Sequence, residues 1–234
     1  MRIKAFFVAA GILLGGCAAP QADPAGADDP YEATNRVIFD FNLRIDRTFL
    51  RPTAGRYQTY VPEEVRDGIR GVLDNLRAPV VLANDLLQGE TRRAGDTAGR
   101  FLINSTVGLG GIFDVAGQKG LAAHDEDFGQ TLAVWGVGDG PYLVLPLFGP
   151  SNPRDGVGKV ADFALDPSIN VKIKRHWMWE GFRQWLNIVD ARSRSLETFD
   201  AIERDSLDFY ATARSLYRQN RIYQIRNGLP PPDE

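Results

Sequence analysis

Glycine and proline crowd one stretch of this chain, in "GLGGIFDVAG" at 108–117, "GVGDGP" at 136–141 and "LFGPSNPRDGVG" at 147–158. An interior glycine costs a helix about 1 kcal/mol relative to alanine and an interior proline about 3 kcal/mol, so no long helix is expected across 108–158. The apolar runs Thr131–Trp135 and Tyr142–Phe148 flank "GVGDG" as the arms of a hairpin would, although Pro141 and Pro146 weaken the strand reading. The middle of the chain therefore reads as irregular. The regular structure has to come from the segments on either side.

Those segments are helical in period. Val37, Ile38, Phe41, Ile45 and Phe49 recur at three- and four-residue steps, and Phe39, Leu43 and Leu50 widen the apolar face beyond a narrow stripe. Pro52 is expected to stop this helix. A second helix is predicted from Pro62, with Glu63 and Glu64 at the positive end of its dipole, through Val65, Ile69, Val72, Leu73 and Leu76 to an interruption at Pro79. "VVLANDLLQGE" reads as a short helix closed by Gly89, and 91–106 as another with Thr91 as its cap. Helical spacing returns with Trp179, Phe182, Trp185, Ile188 and Val189, and again with Phe209, Ala213, Leu216, Tyr217 and Asn220. In that last helix Glu203, Asp205 and Asp208 lie early and Arg214, Arg218 and Arg221 late, as the dipole prefers, with Gly228 at its end. The fold class is mainly α.

The N-terminus carries the chain's single cysteine, in "ILLGGCAAP". Arg2 and Lys4 precede an apolar stretch from Ala5 to Leu14, too short for a spanning helix of about 20 residues and typical of a secretory signal. Leu14-Gly15-Gly16-Cys17 resembles the lipobox of bacterial lipoproteins, in which the cysteine becomes a lipidated mature N-terminus. The expected organisation is a signal peptide at 1–16, a lipidated start and flexible tether at 17–28, a folded domain at 29–228 and a short tail at 229–234. Without Arg2 and Lys4 the formal charge moves from −3 to −5, so no basic field invites nucleic acid.

No catalytic pattern emerges. His124 and His176 lack metal-ligand spacing, so no metal or other cofactor is expected beyond the covalent lipid on Cys17. "GLGGIF" has Phe113 where a dinucleotide loop needs its third glycine, and neither a phosphate loop nor a Gly-x-Ser-x-Gly elbow occurs. The run "HDEDFG" at 124–129 reads as a solvated acidic loop, because adjacent carboxylates point in different directions. An enzyme reading, a membrane-anchored phospholipase or cell-wall hydrolase relying on Ser105 or Asp127, is therefore not favoured. Two features stay open between alternatives. The glycines of 108–117 suit either a surface loop or a close backbone approach, and Trp177, Trp179 and Trp185, beside Lys172, Lys174 and Arg175, suit either a membrane interface or a core.

Four blocks go further: "DPYEATNRVIFDFN" at 29–42, "YVPEEVRDGIRGVLDNLRAP" at 60–79, "RFLINSTVGLGGIFDVAG" at 100–117 and "EDFGQTLAVWGVGDGPYLVLPLFGPSNPRDGVG" at 126–158. In this order they resemble the MlaA (VacJ) family of outer-membrane lipoproteins. The resemblance implies a ring-like, mainly helical single domain in the inner leaflet of the outer membrane, on its periplasmic side, associated with a trimeric porin. It implies removal of mislocalised phospholipids from the outer leaflet through an amphipathic channel, and their transfer to a soluble periplasmic carrier of the MlaC type. Alanine at position 18 is compatible with outer-membrane sorting. Carried onto this chain, Phe39, Asp40, Phe41 and Asn42 are candidates for controlling the ring's conformation, and Gly108, Gly110, Gly111, Ile112 and Phe113 for a flexible element beside the channel. Asp40 stands where familiar members have asparagine, and a carboxylate there would repel lipid phosphates. The competing reading is a structural, porin-bracing lipoprotein without transport activity.

Overall fold

The computed structural model describes residues 29–170 and 176–229. Cys17 with the signal and tether, Lys172, Lys174 and Arg175, and the tail from residue 230 lie outside the described residues.

Helix α1 (Glu32–Ile45) does not stop at Pro52. It runs through a π-helical turn (Asp46–Leu50) directly into α2 (Arg51–Tyr60). Proline in a regular helix clashes with the carbonyl four residues earlier and leaves it without a donor. The π turn changes the hydrogen-bonding register just before Pro52, with the Arg51 N–H reaching back to the Asp46 carbonyl, and Pro52 then occupies the first turn of α2, where no amide donor is needed. Thr53 Oγ1 donates to the Phe49 carbonyl at 2.7 Å. Helix α2 ends instead at Val61, which precedes Pro62 and is pushed to an extended conformation (φ −101°, ψ 118°).

Helix α3 (Glu63–Gln88) likewise absorbs Pro79, so "VVLANDLLQ" is its second half and not a separate helix. Val80, Val81, Asn84 and Asp85 are buried immediately after the proline, and that packing outweighs the lost hydrogen bond. Gly89 closes α3 in the left-handed conformation (φ 79°). Helix α4 (Thr91–Thr106) follows, with Glu90 rather than Thr91 at the cap position.

The glycine-rich middle holds more helix than its composition suggests. Short helices α5 (Val115–Gln118) and α6 (Phe128–Val134) are started by Asp114 and Asp127, whose side chains accept from the amides of Gly117 and Gln130. Thr131–Val134 thus belong to a helix and make no hairpin. The strand pair is instead β1 (Leu143–Leu145) against β2 (Gly149–Ser151), antiparallel, with Leu143 opposite Ser151 and Leu145 opposite Gly149. Helix α7 (Pro153–Leu165) starts on Asn152, whose side chain accepts from the Asp155 amide, with Pro153 at the first helical position. Helices α8 (His176–Arg194), α9 (Leu196–Asp205) and α10 (Phe209–Ile225) complete the chain. Glu203 and Asp205 lie in α9, and only Asp208, the cap of α10, serves the last helix.

One aromatic core is built from Phe39, Tyr142, Val144 and Tyr210, with Phe209 and Tyr217 packed around it. The Tyr142 hydroxyl is buried there without a hydrogen-bond partner. Removing it should therefore help: Tyr142→Phe is expected to raise stability by about 1 kcal/mol, read in a denaturant titration, because an unsatisfied buried polar group costs about 1–3 kcal/mol. A loss of stability would mean that the hydroxyl has a partner.

Elsewhere the interior is polar. Among the described residues ten apolar side chains are fully buried against nineteen polar or charged ones, the reverse of an ordinary water-soluble core. Large apolar side chains lie outside instead. Val37 and Phe41 of α1, Phe49 of the π turn, and Met178, Phe182 and Trp185 on one stripe of α8 are all exposed.

Candidate functional site

The polar interior opens into a cavity of about 940 Å³. Its wall comes from α3 (Leu73, Asp74, Arg77), the β1–β2 turn (Leu147, Phe148), α7 (Lys159, Phe163), α8 (Arg183, Asn187, Ile188) and α10 (Tyr217, Arg221). Charged and large apolar side chains therefore share one space.

The charged part is anchored by Arg221. Its guanidinium donates to both oxygens of Asp127 at 2.7 Å and to Asp155 Oδ1 at 2.9 Å. Asp155 also accepts from Tyr217 Oη, Asn152 Nδ2 and Arg154 Nε. Burial alone would push the carboxyls of Asp127 and Asp155 up, but the bonds and charge of Arg221 outweigh it and hold both below the usual carboxylate range. One side chain of α10 thus ties the starts of α6 and α7 together beside the cavity. At its α8 wall, Arg183 donates to Asp166 and to Glu180 Oε2 at 2.8 Å.

The run 124–127 is no solvated loop. His124 Nε2 lies 3.0 Å from Asp85 Oδ1, Asp125 pairs with Arg77 at 3.0 Å, Glu126 with Arg93 at 2.6 Å, and Asp127 with Arg221. Successive side chains do point apart, as expected, but each meets a buried or half-buried partner, on α3 for His124 and Asp125, on α4 for Glu126 and on α10 for Asp127. Ser105 Oγ accepts from Asn75 Nδ2 at 2.9 Å. No group of three or more His, Cys, Asp or Glu suited to a metal ion occurs among the described residues.

The structure places the residues singled out in the sequence around this cavity more than in it. Asp40 and Phe41 are exposed on α1, and neither lines the cavity. Phe39 is in the aromatic core. Asn42 reaches the cavity indirectly: its Nδ2 donates to the Leu145 carbonyl at 3.0 Å and its Oδ1 accepts from the Leu147 amide at 2.8 Å. Two turns earlier, Asn35 treats Tyr142 and Val144 in the same way, at 3.0 and 2.9 Å. Two asparagines on one face of α1 thus hold the backbone edge of β1 and the turn that carries Leu147 and Phe148. Asn42→Ala is expected to speed hydrogen exchange at the Leu147 amide about tenfold or more, the loss of roughly 1.4 kcal/mol of local bonding, with amides of α4 unchanged. Equal exchange would show that Asn42 does not hold the turn.

Gly108, Gly110, Gly111, Ile112 and Phe113 form a loop laid over α3, where Ile112 covers Gly68 and the Gly111 carbonyl meets Gly71. Of the two readings open for these glycines, close backbone approach describes Gly111, while Gly110 has open space around it. Trp177, Trp179 and Trp185 are all exposed.

A helical domain with a charge-lined interior, apolar outer faces and a mixed polar and apolar cavity is a container for amphiphiles, since each half of such a ligand finds its own surroundings there. The chain belongs to the MlaA lipoprotein family, whose sequence model matches residues 27–224. It is 33% identical over 239 residues to the Escherichia coli intermembrane phospholipid transport system lipoprotein MlaA, covering all of this chain and 93% of that one. The Haemophilus influenzae protein of the same name is 34% identical, covering 86% of this chain and 80% of the relative. A solved structure from work on the maintenance of bacterial outer membrane lipid asymmetry superposes with a TM-score of 0.75 at 33% identity, over 85% of this chain and all of that one. In the sequence Asp127 was legible only as part of an acidic run and Arg221 as a dipole-friendly charge, and nothing singled out Asp155. Their convergence needed the fold.

Proposed function

We propose that this chain is an outer-membrane lipoprotein, anchored on the periplasmic side through a lipid on Cys17, that takes mislocalised phospholipids out of the outer leaflet and hands them to a soluble periplasmic carrier. The observation that carries this reading is the inverted polarity around the cavity. A phosphate headgroup cannot be buried unpaired at tolerable cost, and here charged side chains share a wall with Leu147, Phe148 and Ile188, so headgroup and acyl chain can travel together. No helix among the described residues is long and apolar enough to cross a membrane. The exposed apolar side chains of α1 and α8 suit seating in a single leaflet. A trimeric porin is the partner we assign to the remaining apolar perimeter.

The step involves no covalent chemistry on this reading, and the chain carries no nucleotide-binding motif, so direction has to be supplied by partners. The test is to label surface phosphatidylethanolamine with a membrane-impermeant amine reagent in cells with and without the protein, counting lysophospholipid in the same extracts. More surface phospholipid in the deletion, with lysophospholipid unchanged, is expected. Unchanged surface phospholipid would leave the porin-bracing reading, and a protein-dependent change in lysophospholipid would point to an enzyme.

A further inference from the structure

Most charges on the cavity wall are already committed. Arg221 holds Asp127 and Asp155, Arg183 holds Asp166, and Arg77 holds Asp125. Three are not: among the described residues Lys159, Asp74 and Asp162 line the cavity and make no ion pair. Lys159 Nζ donates only to Ser151 Oγ, at 3.2 Å, so two of its three N–H bonds remain for a ligand. The ammonium opens to the cavity, yet enough protein surrounds it that burial pushes it below the ordinary lysine range. Asp155 and Asp127 act on this ammonium without a direct contact, so an incoming anion would be its first ion-pair partner. Asp162 is held only by neutral donors, Asn84 Nδ2 at 2.9 Å and the Phe128 amide at 3.0 Å. Asp74 has no such bond, and burial pushes both carboxyls up.

Resting on the transport reading above, we propose that Lys159 binds the phosphate of a phospholipid headgroup in this cavity, and that Asp74 and Asp162 make the site prefer zwitterionic headgroups to net-anionic ones. One free cation satisfies one phosphodiester. A zwitterionic lipid brings its own ammonium to the two carboxylates that make no ion pair, whereas an anionic lipid with an uncharged alcohol headgroup meets them with nothing to offer. Leu147, Phe148 and Ile188 on the same wall receive the acyl stems.

The test is native mass spectrometry of the full chain in detergent, equilibrated with equimolar phosphatidylethanolamine and phosphatidylglycerol of matched acyl chains, in a buffer containing inorganic phosphate. The wild type is expected to retain one phospholipid, mostly phosphatidylethanolamine. Lys159→Met should lower the lipid-bound fraction about tenfold, the worth of one charge-assisted contact, and Lys159→Arg should restore most of it at an unchanged melting temperature. Asp74→Asn with Asp162→Asn should narrow the preference between the two lipids. Equal lipid retention by wild type and Lys159→Met would overturn the headgroup site and leave transport standing. A wild type that carries inorganic phosphate and no lipid would overturn the lipid as its ligand, and one that binds both lipids equally would overturn the selectivity. A wild type that retains neither would count against the transport reading itself.

Discussion

Replacing Arg221 with methionine is expected to destabilise the chain by about 3–5 kcal/mol at neutral pH, the usual result of removing one partner from a buried ion pair. The guanidinium is the shared donor of Asp127 and Asp155, and those residues start α6 and α7. Methionine fills much of the same volume, so the effect isolates charge. The pH dependence distinguishes this from a packing defect. In the wild type both carboxyls sit below their ordinary range, so their stabilisation is present above the unfolded value of about 4 and is lost as pH falls through the depressed folded values. In Arg221→Met burial acts unopposed by the guanidinium and raises both. A raised folded value means that the native state binds more protons, so the variant loses stability as pH climbs through it. The gap between the two proteins in urea midpoints should therefore be widest near neutral pH and narrow toward pH 4. A gap that is constant with pH would mean that the loss is one of volume, and that the carboxylates do not depend on Arg221. Adding Asp155→Asn to Arg221→Met should recover part of the loss, because one of the two carboxylates that Arg221 held is then gone, although Asp155 keeps Arg154 at 3.1 Å.

What could be read from the sequence was whatever depends on neighbours along the chain. The period of Val37, Phe41 and Ile45 marks α1, and Gly89 closes α3, because both signals are local. Pro52 and Pro79 misled for a physical reason: the clash is local, but a π turn before one and buried packing after the other compensate for it. Asn152-Pro153 followed by Asp155 is a cap, a first-position proline and an acid in the first turn, a start signal for α7 hidden by Gly156 and Gly158. Lys159 carries no signal of its own. It becomes a cation without an ion pair only in the fold, and nothing along the chain reports that Asp127 and Asp155 are already taken by Arg221. The same holds for Asn35 and Asn42, which look like polar positions on an amphipathic helix until β1 is laid against them.

Gly71→Val is expected to be the second most damaging change, although glycine 71 sits in the middle of α3, where a larger residue should favour the helix. A Cβ on Gly71 would lie 2.1 Å from the Gly111 carbonyl oxygen, and one on Gly111 would lie 2.4 Å from that of Gly71. Both are backbone atoms with no rotamer to escape into. The loop cannot slide, because Gly111 N–H donates to the Asn104 carbonyl at 2.8 Å and Asn75 Nδ2 donates to the Gly110 carbonyl at 3.3 Å. Valine must push the loop off α3 and break those bonds, at about 3 kcal/mol. For a chain of this size that is a drop of roughly 6–12 °C in melting temperature. Gly95, also helical, has nothing within 4 Å of its Cβ position, so Gly95→Ala should raise stability by up to about 1 kcal/mol. Gly110, in the same loop, has open space but a φ of 75°, so Gly110→Asn should cost only the modest strain of a left-handed asparagine, about 1 kcal/mol. The order Gly71→Val, Gly110→Asn, Gly95→Ala, from most to least damaging, ties the defect to contact between loop and helix. If Gly71→Val melts with Gly95→Ala, the loop is free to leave α3, and Leu109, Ile112 and Phe113 belong to a segment that moves independently of the cavity wall.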